Sequence, residues 1–373
     1  MIPESGLCWV PFDKLEPFVV DVFKGIGVPD EDARRCADVL LTADRRGIDS
    51  HGIGRLKTIY YDRIVKDRIQ QPVTRLEVLS DRKATAVVDG HHGMGMVIAA
   101  RCMEMAIEKA RAYGVGVVVA RHSTHYGFAA YYPLMAVRQD LVGFTSTNAR
   151  PSIAPTFGVE NMLGTNPLVF AMPTDEPFPF TNDYATSVSQ RGKVEEYARA
   201  GQPLPPGWVI DRQGRTKTDA QEVLDDLIHD RAALAPLGGL GEETAGYKGY
   251  GFAIVAEILS AALQQGSFLK QLSGFDARGR PVPHNLGHFF MALDIAAFTD
   301  PAAFKKTTGD ILRALRASHK APGAARIYTC GEKEYLAEQE RTVKGVPVGR
   351  ALQKQLLQMR EELGLKQYRF PFE

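Results

Sequence analysis

This chain lacks a charge bias. Lys plus Arg number 45 against 44 for Asp plus Glu over 373 residues, so no net field favours nucleic acid or an anionic membrane. A small anionic ligand would have to be held by local cations. Cysteine is scarce. Cys8, Cys36, Cys102 and Cys330 are far apart and include no Cys-x-x-Cys, so neither a zinc knuckle nor a dense disulfide framework is expected. Reduced thiols in a cytoplasmic protein are the plain expectation. The first residues, MIPESGLCWVPFDKLEPF, carry early acids and prolines and no basic flank before an apolar run, which does not fit a signal peptide. Long hydrophobic runs are missing too. The most apolar stretch, YGFAIVAEILSAALQQ, is short and holds Glu257, so a buried helix is expected there and not a membrane span. The remaining composition, 45% hydrophobic and 24% charged, is that of a globular protein with room for a large core and two domains.

What is present sorts into periodic segments. PDEDARRCADVLLTADRRG spaces Ala33, Cys36, Val39, Leu40 and Ala43 as a helix does, with Asp30 as N-cap and Gly47 just past the end. A second helix is expected from about His51 through GRLKTIYYDRIVKDR, capped by Ser50 or Asp49. Near residue 72 the texture turns to strands. VTRLEVLS and ATAVVDG flank the turn SDRK, VGVVVAR is a continuous β-branched run, and LVGFTSTN, PLVFAMPT and HFFMALDIAAF follow. MVIAARCMEMAIEKARAYG is a helix ending at Gly114. YGFAAYYPLMAVRQD is helical at first, with Pro133 predicting a kink or break. The stretch from Thr174 to Leu234 is poor in apolar periodicity and is expected as a surface excursion. From about Asp300 the chain is helical and charged again, and is expected to pack back on the N-terminal helices.

Two glycine patterns invite a phosphate. Gly93-Met-Gly95-Met-Val-Ile98 follows a strand, but Ile98 replaces the last glycine and no acid closes a second strand, so a Rossmann fingerprint is not met. LGGLGEETAGYKGYG places Lys248 among glycines at a helix start. Gly249 follows that lysine where a Walker A loop needs Ser or Thr. Anion binding and tight helix–sheet packing both remain open there.

Among nine histidines, His284 and His288 are four apart, but Asn-Leu-Gly between them favours a loop and no carboxylate completes a metal set. His91 and His92 are adjacent and structural. His125, in ARHSTHYGFAA, follows a buried strand, where α/β proteins often keep their sites. DSHGIGRL holds the most legible chemistry. The imidazole of His51 can exchange a proton near neutral pH, and Arg55 offers a planar fork matched to a carboxylate. At i and i+4 the two share a helix face. Surface decoration is the competing reading.

Seven segments in order, DSHGIGRL, STHYGFAA, MLGTNPLVFAMPT, NDYATSVSQRGKV, PPGWVIDRQGRTKTD, YKGYGFAIVAEIL and GEKE, together resemble the malate/L-lactate dehydrogenase family of non-Rossmann oxidoreductases. The resemblance implies an α/β (α+β) fold: a helical domain from both termini (1–71 and 300–373) and a nicotinamide-binding domain (72–299) with a central, largely antiparallel or mixed sheet. It implies NAD or NADP as cofactor, a small anionic 2-oxo or 2-hydroxy acid as substrate, with malate or L-lactate leading, no metal, and a homodimer. A reductase of cyclic 2-imino acids and an inactive cofactor-binding relative are the alternatives. By position, His51 is the implied proton donor or acceptor, Ser50 its orienting partner, and His125 an alternative catalytic residue. Arg55 and Thr165 are implied at the substrate. Cofactor contacts are implied for His125, Tyr126, Gly127, Phe128 and Ala129, for Asp183, Tyr184, Ala185, Thr186 and Ser187, for Tyr247 and Lys248, and for Gly331, Glu332 and Lys333. Two departures stand out: Cys330 where relatives commonly have proline, and Lys193 where some have an acid.

Overall fold

The computed structural model describes residues 6–373. It begins with strand β1 (Cys8–Val10) and helices α1 (Phe12–Gly25) and α2 (Asp30–Arg45). Buried Ala33, Cys36, Ala37, Leu40 and Ala43 form the inner stripe of α2, as the spacing predicts. Asp30 is not its N-cap, because Pro29 holds that position; Asp30 is the first helical residue and accepts from Arg34 at 2.9 Å.

The helix expected from His51 does not form as one piece. Asp49–His51 and Ile53–Arg55 are separate 3₁₀ turns, Leu56–Tyr61 is a π-helical turn, and only Asp62–Val65 is α-helix (α3). Gly52 is the reason. It has extended backbone, and a Cβ there would stand 1.9 Å from Oδ1 of buried Asp44. Neither Ser50 nor Asp49 caps the segment; the Asp44 carboxylate accepts the Ile53 N–H at 2.8 Å and does that work from nine residues upstream.

The central region supplies β2 (Glu77–Arg82), β3 (Thr85–Asp89), α4 (Gly95–Tyr113), β4 (Val115–Ser123), α5 (Tyr131–Val137), β5 (Leu141–Thr147), β6 (Leu168–Met172) and β7 (Phe180–Tyr184). Pro133 does not kink α5. It lies in the first turn, where a missing N–H costs no intrahelical bond. Then come α6 (Arg191–Ala200), β8 (Val209–Asp211), α7 (Ala220–Ile228), β9 (Ala232–Leu234), α8 (Gly246–Ala261), β10 (Leu286–Asp294), α9 (Pro301–Ala317), α10 (Glu332–Lys344), β11 (Val346–Val348) and α11 (Arg350–Glu362).

Seven strands join in the order β2-β3-β4-β10-β5-β6-β7, and only β3–β4 is parallel. The sheet is thus mixed and largely antiparallel, and it is not a Rossmann sheet. Successive side chains go to opposite faces: Val118 and Phe290 into the layer of α1, α2, α4 and α5, Val119 and Phe289 toward Ala256 on α8. Every residue of β5 is buried, which explains why its sequence does not alternate.

Thr174–Leu234 is more than a surface excursion. It contributes the edge strand β7, and Val194, Leu204, Val209, Val223 and Leu234 form a second small core with Ile153, Leu163 and Ala253. At the C-terminal end, β11 pairs with β1, and the Tyr61 hydroxyl donates to Glu362 of α11 at 2.6 Å. Helix α9 instead packs on the 174–176 loop through Arg313 and Arg316. Helix α8 is only half buried: Phe252, Val255 and Ile258 are 47%, 46% and 54% exposed. Half-exposed side chains of this size forgo on the order of half of the roughly 1.5–3 kcal/mol that full burial yields.

Candidate active site

Two cavities meet beside His51. The first, of about 530 Å³, is walled by the ends of β4 and β5, by β7, by the start of α10 and by the segment after α2. The second, of about 960 Å³, lies between α6 and the start of α11. Ser50 and Gln190 border both.

His51 and His125 stack in the first cavity with ring centroids 6.0 Å apart and planes 15° from parallel. Ser50 Oγ lies 2.9 Å from His51 Nδ1. Burial, then the charge of Arg55, pushes the His51 pKa down to about 4. His125 has a defined tautomer. Its Nδ1 accepts the Gly127 N–H at 3.2 Å, so it carries no proton, and the Tyr60 hydroxyl, 2.7 Å away, donates to the same nitrogen. The ring proton is therefore on Nε2. Burial, then His51 and Arg63, hold the His125 pKa well below the ordinary 6.5. Protonating Nδ1 would set it against the Gly127 N–H.

Arg55 does not share a helix face with His51, because the two stand on different 3₁₀ turns. Arg55 lines the second cavity, and its Nε donates to the Ser50 carbonyl at 2.5 Å. Its terminal nitrogens have no hydrogen-bond acceptor among the described residues. Ser50 is thus the seam: its side chain meets the imidazole and its carbonyl meets the guanidinium.

Of the other expected positions, Tyr126, Gly127, Phe128, Ala129, Thr165, Asp183, Ala185, Gly331 and Lys333 line the first cavity. Asp183 accepts the Ala130 N–H at 3.1 Å, and its carboxyl, open to the cavity, is raised above the ordinary carboxylate range by the surrounding walls. Six do not reach it. Tyr184 turns to the α8 face of the sheet. Thr186 donates to the Thr165 and Asn166 carbonyls, and Ser187 is buried in a bridge to Pro236. Glu332 is buried, accepts the Thr329 N–H at 3.2 Å and pairs with Arg326. Tyr247 and Lys248 are exposed on α8. The glycines beside them serve close packing: a Cβ at 249 would stand 2.0 Å from the Leu237 carbonyl oxygen.

The sequence gives no warning of three residues at the site: Arg46, which looks like a helix-end cation; Tyr60, which looks like core; and Gln190. Cys330 also lines the first cavity, with Sγ 3.7 Å from Asn182 Oδ1. Among the described residues no group of three or more His, Cys, Asp or Glu could hold a metal ion, and no helix is long and apolar enough to cross a membrane. His288 is fully buried between the hydroxyls of Thr147 and Ser123, 2.7 Å from each.

Compared with known proteins, residues 10–357 match the family model described as malate/L-lactate dehydrogenase. The chain belongs to the malate/L-lactate dehydrogenase family. Its relatives include dehydrogenases named for NAD, a ureidoglycolate dehydrogenase (NAD(+)) of Escherichia coli, and for NADP, a (2R)-3-sulfolactate dehydrogenase (NADP(+)) of Chromohalobacter salexigens. A malate dehydrogenase of Pyrococcus horikoshii is 40% identical over 357 residues, 96% of each chain. An L-sulfolactate dehydrogenase of Methanocaldococcus jannaschii is 35% identical over 93% of this chain and 95% of its own. The crystal structure of malate dehydrogenase from Entamoeba histolytica superposes with a TM-score of 0.92 at 39% identity, covering 96% of this chain and 98% of that one. The non-Rossmann sheet is therefore the malate/L-lactate dehydrogenase scaffold.

Proposed function

We propose that the chain interconverts a small 2-hydroxy acid and its 2-oxo acid with NAD or NADP, malate and oxaloacetate being the first pair to test. The observation that carries this is the seam at Ser50, where two imidazoles meet a guanidinium between two cavities. The first cavity fits a dinucleotide. Its volume is in the range of cofactor sites, it holds the buried cation Arg46, whose Nε and Nη2 have no acceptor, and it opens on the start of α10. When bound there, the nicotinamide supplies or takes the hydride.

Arg55 holds the substrate carboxylate with its terminal nitrogens. His51 stands next to it, neutral in the empty site, and takes the hydroxyl proton during oxidation. In reduction the protonated ring returns that proton to the carbonyl oxygen, and an anion on Arg55 offsets the cation that depresses the imidazole pKa. Ser50 keeps the ring in plane. His125, locked as the Nε2–H tautomer, donates a hydrogen bond and does not serve as the base. Holding the groups in this order provides much of the rate gain.

The functional unit we propose is a homodimer built on α8. Its outward face is apolar at Phe252, Val255 and Ile258, and the one acid of that helix, Glu257, is buried against Asn166 at 2.7 Å. An apolar face of this kind, with Lys248 as its one cation at the helix start, can pair with its own copy about a two-fold axis. Light scattering of the purified protein should give twice the chain mass, and Ile258→Glu the single chain mass. Wild type at the single chain mass would remove the dimer.

Function is tested by assaying malate, L-lactate, sulfolactate and their oxo forms, and a cyclic 2-imino acid, with each cofactor. Turnover fastest for a hydroxy acid supports the proposal. Turnover of the imino acid alone, or of nothing, sinks it.

A further inference from the structure

We propose that Glu257, on α8, is a positioning residue for the reaction: it holds the side-chain amide of Asn166, and through it the cavity wall at Ala149 and Thr165. This role rests on the first cavity taking a dinucleotide. Glu257 is 6% exposed. The groups that act on its carboxylate are amides, of Leu269, Asn166 and Asn148, and no cation is among them. A buried carboxylate without a cation is costly unless its oxygens accept hydrogen bonds. Here both do. Oε1 accepts the Leu269 N–H at 2.8 Å, and Oε2 accepts from Asn166 Nδ2 at 2.7 Å.

Asn166 is fully buried, and its amide is spent on three partners. Nδ2 donates to Glu257 and to the Ala253 carbonyl at 3.1 Å, and Oδ1 accepts the Ala149 N–H at 3.1 Å. Flipping the amide would set its oxygen against the carboxylate and its NH2 group against the Ala149 N–H. The backbone of Asn166 has a φ of 30°, a sparsely populated conformation that its surroundings must hold. Ala149 and Thr165, at the two ends of this arrangement, line the first cavity. Glu257 does not. It borders a separate cavity of about 550 Å³ with Met162, Leu163, Ile258 and Phe268, so it reaches the cofactor wall only through Asn166. Bracing α8 against the turn at Leu269 takes one oxygen. The second is spent on an amide whose far side is the cavity wall, and that points to positioning.

The test pairs fluorescence titration of the purified protein with kinetics on the hydroxy acid turned over fastest. Glu257→Gln keeps the size but offers one oxygen to two donors. It should weaken the cofactor that wild type binds by about 10-fold and lower kcat. KM for the hydroxy acid at saturating cofactor should change by less than about 3-fold, because Ala149 and Thr165 do not line the second cavity. Combining Glu257→Gln with Asn166→Asp moves the carboxylate along the same chain of bonds, where it accepts from Ala149 and from the new amide at 257. That pair should bring Kd back to within about 3-fold of wild type, a recovery that a mere brace for α8 would not show. Glu257→Asp, which draws the carboxylate back from both donors, decides the matter by the same readouts if the Gln variant does not fold. An unchanged Kd and kcat, a KM that rises as much as Kd, no recovery in the paired variant, or an equal loss of cofactor affinity in Ile258→Glu would each overturn the role of Glu257 while the functional reading stands. Wild-type protein that binds neither NADH nor NADPH overturns the functional reading, and this role with it.

Discussion

The two cavities that share Ser50 and Gln190 are built from different material. The first is walled by strand ends, with buried polar groups such as Thr147 and Asn148 fixed by bonds to the backbone at Gly287 and Ser267. The second is walled in part by side chains already held in ion pairs near the surface: Lys193 with Glu196 at 2.7 Å, and Asp49 with Arg341, which lies outside the wall on α10, at 2.9 Å. A sheet edge fixes shape to a fraction of an ångström, whereas exposed ion pairs exchange partners at little cost. The first cavity suits a ligand that does not vary, and the second suits one that does. Relatives named for malate and for sulfolactate on one scaffold fit that division.

The comparison can be broken at the seam. His51→Ala should cut turnover by about 10²- to 10⁴-fold with NADH affinity little changed by fluorescence titration; equal turnover would remove His51 from the chemistry. On the fixed side, Gly52→Ala forces a methyl into the Asp44 carboxylate, and a loss of about 1–3 kcal/mol should appear in urea unfolding. An unchanged midpoint would mean that the segment yields freely. Arg55→Lys, on the adjustable side, should lower kcat/KM about 10- to 100-fold, mainly through KM, because a point charge cannot replace the fork. A Kd for NADH that moves as much as KM would erase the distinction between the cavities. Lys193→Ala, which removes an exposed pair, should change kcat/KM by less than about 5-fold, and differently for malate and sulfolactate; identical effects on both would argue against an adjustable chamber.

Acid should separate chemistry from stability. Oxidation needs neutral His51, whose pKa is pushed to about 4. The oxidative kcat/KM should therefore stay flat through pH 6.5 and fall only toward pH 4, and a limb at 6.5 would contradict the burial argument. The imidazoles of His51, His125, His284 and His288 all have pKa values lowered by burial. Below 6.5 these four imidazoles bind more protons in the unfolded chain than in the folded one, so their share of stability is present above that pH and is lost as pH drops from 6.5 toward 4, opposed by the buried carboxyls of Asp44 and Glu257, whose raised pKa values favour the folded chain as they protonate. A denaturation midpoint constant over that window would refute it.

Most of the sheet was legible because its inner strands are apolar runs, Val115–Ser123 above all, and because no third glycine followed Gly95 and no acid closed the next strand; β7 was not, since it lies within the stretch expected as a surface excursion. The module around α6 was not, since β8 and β9 have three residues each and their core borrows Ile153 and Ala253 from elsewhere. Ser50, His51 and Arg55 stood out by chemistry, but their arrangement did not. A helical count of four joins His51 to Arg55 only if Gly52 is helical, and Asp44 keeps it extended. Arg46 and Tyr60 carried no local mark, because what distinguishes them is the absence of an acceptor in one case and a contact 65 residues away in the other.

Cys330 gives the fixed chamber a natural reporter. It stands in the chamber wall beside Gly331, while Cys36 and Cys102 are sealed in the interior. Partial burial raises its pKa, so alkylation at neutral pH is slow, and a bound occupant would shield the sulfur further. The rate at which a maleimide dye attaches there becomes a gauge of how full the chamber is, readable without any turnover.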